Sequence, residues 1–92
     1  MKDQNIVIYD YPHNSYLELI VKDDSFKFVS EVRLYEDEYS EVHYSLDNKE
    51  VSKLLSLMSF DEFVEFAKKI HLKGLLDFFK EKSIDYIITP IY

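Results

Sequence analysis

The chain has 92 residues, no cysteine, one glycine, 47% hydrophobic and 16% aromatic residues, and a formal net charge of -7. That length makes a single domain, residues 1–92, with enough apolar side chains for a modest core and too many for a disordered chain. Without cysteine there is no disulfide framework, thiolate zinc site or thiol nucleophile, one glycine cannot build a phosphate-cradling loop, and the acid excess disfavours nucleic acid and anionic membranes.

The N-terminus carries one lysine and an immediate acid before only four apolar residues, Ile6 to Tyr9, so no signal peptide is expected. No apolar run approaches the roughly 20 residues that span a bilayer, and the expected location is cytoplasmic. Ile6–Tyr11 is rich in β-branched and aromatic residues and reads as a strand. Ser15–Lys22 alternates with period two, placing Leu17, Leu19 and Val21 on one face. Ser25–Tyr35 does the same with Phe26, Phe28, Val32 and Leu34, and Tyr39–Leu46 with Val42, Tyr44 and Leu46.

Loop lengths then set the register. A four-residue loop, Pro12 to Ser15, puts Ile8 opposite Leu19 and Ile6 opposite Val21. Asp23-Asp24 as a two-residue turn puts Val21 opposite Phe26 and Leu19 opposite Phe28. Glu36 to Glu38 as a loop puts Val32 opposite Val42, Arg33 opposite Glu41 and Glu31 opposite His43, so that opposite charges meet across the strands. One four-stranded antiparallel meander satisfies all three hairpins.

Helical spacing begins at Asp47, whose pairing with Glu50 resembles a capping box. Val51, Leu54, Leu55 and Met58 follow at intervals of three and four. Ser59 to Glu62 is a second capping box, opening a helix with Phe63, Val64, Ala67 and Ile70 on its apolar stripe. A third helix, Leu72 to Lys82, turns Leu75, Leu76 and Phe79 inward, with Gly74 marking a boundary or a close approach. Phe66 and Phe78 fall off these stripes and point to packing between helices. Ile84–Tyr92 reads as a last strand, and Pro90 confines it to an edge. The expected fold is α+β: a four-stranded antiparallel meander, three short helices packed on one sheet face, and a C-terminal edge strand.

The acid is unevenly placed. Residues 1–50 hold 12 of the 18 Asp and Glu against 5 Lys and Arg, together with six of the eight tyrosines. Strand parity sends Tyr9, Tyr11, Tyr16, Glu18, Glu31, Arg33, Tyr35, Tyr39, Glu41 and His43 to the face away from the helices. Tyrosine with carboxylates on one face suits a contact with a basic partner. The expected contact comprises Tyr35, Glu36, Asp37, Glu38, Tyr39 and Glu41 around the third hairpin, with Tyr9, Tyr11 and Tyr16 on the sheet.

His13, His43 and His71 fall apart in this layout, and residues 35–41 lack the glycine and spaced oxygens of a calcium loop, so neither metal nor other cofactor is expected. His43 beside Glu31 or Glu41 could serve as a general base, but no nucleophile stands at a recognisable spacing, and a structural cross-strand pair is the simpler reading. No family motif is matched. Small acidic bacterial or phage proteins that inhibit a basic enzyme are similar in composition alone. The reading is a non-enzymatic protein-binding module, of inhibitor or immunity type, docking on a basic protein surface. The alternative is a homo-oligomeric accessory protein, a homodimer hiding its outer face or an edge strand.

Overall fold

The structure, a computed structural model, describes residues 1–35 and 38–91, and the backbone alone at residues 34, 35, 38 and 39. The elements are β1 (Gln4–Tyr11), β2 (Ser15–Lys22), β3 (Ser25–Tyr35), β4 (Glu38–Leu46), α1 (Asn48–Leu55), α2 (Phe60–Glu81) and β5 (Ile87–Ile91). The strands form one sheet in the order β1-β2-β3-β4-β5, each neighbour antiparallel. The last strand thus extends the meander beyond β4, and α1 and α2 cover one face.

The β2–β3 hairpin has the expected register, with Val21 opposite Phe26 and Leu19 opposite Phe28. Asp23 and Asp24 both adopt positive φ (51° and 59°), the backbone twist that a two-residue hairpin turn requires. The two flanking hairpins depart from expectation. The β1–β2 loop has three residues rather than four, because Tyr11 pairs with Ser15 and the Asn14 N–H donates to the Tyr11 carbonyl at 2.9 Å. His13 closes that turn at φ 65°. The one-residue change flips the parity of the upper part of β1, so Tyr9 pairs with the core residue Leu17. An irregularity between Val7 and Tyr9 inserts Ile8 as an extra residue and restores the expected parity below it, where Ile6 lies opposite Leu19. In the β3–β4 hairpin Glu31 lies opposite Glu41, Val29 opposite His43 and Val32 opposite Ser40, with a shift between Arg33 and Tyr35. The slip is two residues. It preserves which face each side chain occupies and replaces the expected opposite-charge pairs by a like-charge pair. Val32, expected in the core, is 44% exposed.

The helical cap comprises α1 and a two-part α2. α1 starts where expected: the Asp47 side chain accepts from the Glu50 N–H at 3.0 Å. In α2 the Ser59 hydroxyl accepts from the Glu62 N–H (3.1 Å) and the Glu62 carboxylate accepts from the Ser59 N–H (3.0 Å), a complete capping box. The expected second and third helices are the two parts of α2, which meet at His71, where a φ of 61° and ψ of -174° are non-helical and break the element in two. The kink lets Phe66 and Phe78 meet edge to face, 4.9 Å between ring centroids, which accounts for both residues lying off their stripes. At the end of α2, Ser83 takes a left-handed φ of 57°. The Ile84 N–H then donates to the Phe79 carbonyl and the Ser83 N–H to that of Lys80, and Ile84 is buried. This pair of backbone bonds satisfies carbonyls the helix would otherwise orphan and turns the chain toward β5.

The core is aromatic at its centre. Phe26 and Phe28 of the sheet pack against Phe63 and Phe79 of α2 with centroids 5.9–6.3 Å apart. All four are fully buried. Each contributes about 1.5–3 kcal/mol by leaving water. No helix among the described residues is long and apolar enough to cross a membrane.

Candidate protein-binding face

The sheet face away from the helices is built by the pairing just described. Because Leu17, Leu19, Phe26, Phe28 and Leu46 are buried, their neighbours Tyr16, Glu18, Ile20, Lys27, Val29, Glu31, Glu41, His43 and Ser45 project to the other side. The register aligns Asp10, Tyr16, Glu31, Glu41 and Ile91 in one row across all five strands. Glu18 stands in the adjacent row beside Val29 and His43.

The row is electrostatically loaded. Glu31 and Glu41 are direct cross-strand neighbours, and like charges so placed destabilise a sheet. Two side chains of the same face lie against these acids. His43 Nε2 lies 2.8 Å from Glu41 Oε2, and the Arg33 guanidinium lies 3.7 Å from both Asp10 and Glu31. His43 is thus paired with Glu41 and not with Glu31, a consequence of the two-residue slip. Tyr16 sits between the acids. Partial burial, then the negative charges of Glu18, Glu31 and Asp10, push its phenol above the usual range, with Arg33 opposing. The phenol therefore remains a hydrogen-bond donor at any physiological pH.

Of the residues expected at the contact, Tyr16 and Glu41 lie on this face. Tyr9 and Tyr11 do not, which corrects the expectation from strand parity. The parity change in β1 turns both toward α2, where their rings stack 5.2 Å apart and Tyr9 packs 4.8 Å from the His71 ring. The Tyr11 hydroxyl is 3.3 Å from His71 Nε2. Burial raises the Tyr9 phenol, partly offset by a hydrogen bond with the Leu72 backbone. The same change brings Asp10 outward, a residue that simple alternation does not place there. Tyr35 pairs with Glu38 and Tyr39 with Arg33 along the hairpin backbone; their side chains, and Glu36 and Asp37 altogether, lie outside the described residues.

No protein-family model, curated protein or solved structure matches the chain.

Among the described residues no three His, Asp or Glu converge as a metal site. His43 has an orienting carboxylate in Glu41, yet no hydroxyl stands in hydrogen-bond contact with its ring among the described residues. A cavity opens at the opposite end of the face and does not include it.

Proposed function

We propose that the chain is a non-enzymatic protein-binding module that docks its acidic sheet face on a basic surface of a partner protein, in the manner of an inhibitor or immunity protein. The observation that carries the reading is the directly opposed pair Glu31 and Glu41, flanked by Asp10, Glu18 and the phenol of Tyr16. A sheet holding like charges side by side forgoes stability that an apolar or mixed pair would supply. Lysine or arginine from a partner relieves that repulsion and gains affinity and association rate from it. Asp10, Tyr16, Glu18, Glu31 and Glu41 form the contact.

The test is capture of proteins from source-cell extract on the immobilised chain, alongside a variant with Glu18, Glu31 and Glu41 all changed to Gln. The expected result is a basic protein retained by the native chain, released by added salt, and absent from the variant eluate. Equal retention by the variant would sink the proposal. A second reading, a homo-oligomer formed through β5, draws on the exposure of Ile87, Ile88 and Ile91 (70%, 54% and 43%). Light scattering of the purified chain separates the two, since the first needs only a monomer.

A further inference from the structure

The outer face is divided along its strands. The acidic row occupies one end, whereas the other end carries Lys22 and Lys27, diagonal neighbours across the β2–β3 hairpin, over the side chain of Ile20. Here the face meets the first turn of α1 and the segment leading into β5, and together they border a half-open cavity of about 670 Å³. That volume lies within the range of sites that hold one small molecule. Its apolar lining comprises Ile20, Phe26, Leu46, Tyr86 and Ile87, and Lys49 of α1 adds a third ammonium at its edge.

The carboxylates around this cavity are mostly engaged. Asp47 accepts from the Glu50 N–H, and Glu50 accepts from the Asp85 N–H at 2.9 Å and from Lys53 at 3.0 Å. Only Asp85 keeps a free carboxylate there among the described residues. Lys53, Lys68, Lys73 and Lys82 each lie against an acid, while Lys22, Lys27 and Lys49, like Lys2, Lys69 and Lys80 elsewhere, have no ion-pair partner among the described residues. Three unpaired cations from three separate elements thus converge on one apolar hollow, in a chain where carboxylates outnumber cations 18 to 11.

We infer that this cavity is a binding site for a small amphipathic anion, its charged head held by Lys22, Lys27 and Lys49 and its apolar body lying over Ser45 toward Tyr86 and Ile87. Lys27, Ser45 and Ile87 are successive partners across β3, β4 and β5, so the body spans two strand spacings, about 10 Å. That length accommodates a bicyclic aromatic or a short aliphatic chain. Asp85, on the β5 side, repels a second negative charge there and sets the polarity of the ligand: head toward β2 and β3, body toward β5.

The probe is 8-anilinonaphthalene-1-sulfonate, an aromatic body with one anionic group. The expected result is one-to-one binding to the folded protein that weakens with salt. In the amide spectrum, shifts should centre on Ile20, Lys27, Ser45 and Ile87 and spare Tyr16 and Glu41. Lys27→Gln with Lys49→Gln should weaken binding by about tenfold or more, with the thermal melt unchanged because both lysines carry no structural bond. N-phenyl-1-naphthylamine, the same kind of body without the sulfonate, should bind at least as poorly. Absence of one-to-one binding, undiminished binding by the double variant, equal binding of the neutral analogue, or shifts centred elsewhere would each overturn the site. Should the double variant melt early, Lys27→Gln and Lys49→Gln made singly take its place: each should weaken binding, and undiminished binding by both would overturn the site equally.

Discussion

Gly74 stands inside a helix, where alanine is favoured by about 0.8–1.0 kcal/mol. Its role follows from the kink at His71. Residues four apart on a regular helix keep their Cβ atoms about 5–6 Å apart, but a Cβ built on Gly74 would lie 2.6 Å from Cβ of Ile70. That atom is fixed to the backbone and cannot rotate away. Gly74→Ala should therefore destabilise by about 1–2 kcal/mol despite its better propensity, lowering the melting temperature by about 5–10 °C. Ile70→Ala should fail to rescue it, because the offending Cβ remains. Glu50 offers a second case. The Asp85 N–H, then the Lys53 ammonium, hold its carboxyl below the usual carboxylate range. A depressed native pKa stabilises the fold above the unfolded value and loses that contribution as pH falls through the folded one. Glu50→Gln should cost stability at pH 7, and the gap from the native chain in urea unfolding should narrow on going to pH 3. A gap that widens in acid would refute the assignment.

At the scale of elements, much of the architecture is legible because it rests on periodicity. Alternation marks β2, β3 and β4, and the change to helical spacing at Asp47 marks α1 and α2. Both N-caps are spelled out by Asp47 and Ser59 with a glutamate three residues on. What the pattern does not encode is loop length. Ile6 and Ile8 favour a four-residue loop, and a three-residue loop keeps Ile6 on the core side only through the extra residue Ile8. The left-handed His13 and the extra residue Ile8 decide between them, and neither leaves a compositional mark. Tyr9 and Tyr11 turn inward for that reason, against the simple alternation of β1. In β4 a slip of two residues leaves every face assignment intact and changes every partner, since a period of two is blind to it. The cavity is beyond the reach of any sequence pattern, because it depends on β5 lying beside β4. Pro90 opposes strand addition at that edge. β5 is exposed along its whole length and carries no charge, the composition of an edge that recruits another strand. Proline offers the free edge no N–H and interrupts any ladder there. Pro90→Thr should restore the donor, and sedimentation should show self-association growing with concentration well beyond that of the native chain. A variant no more associated than the native protein would mean that something other than Pro90 protects the edge.

For the molecule as a whole, the charge pattern separates folding from binding. The helical half balances 6 acids with 6 cations, and several of its lysines lie beside carboxylates. In the strand half Asp10, Glu18, Glu31 and Glu41 stand together on one face, although a lysine opposite Glu41 would suit the sheet better than Glu31 does. Glu31→Lys converts the like pair into an opposite one, and should stabilise the fold by about 0.5–1 kcal/mol, read as a rise of a few degrees in melting temperature. If the face exists to meet a basic partner, the same change should weaken that complex by about tenfold and flatten its salt dependence, because it removes a charge the partner was arranged to meet. A face serving only solubility would gain stability with no such loss. The sign of the two effects together is the diagnostic quantity: residues kept at a cost to folding are residues held for contact. Measuring both on one variant distinguishes a surface tuned for a partner from a surface that is merely acidic.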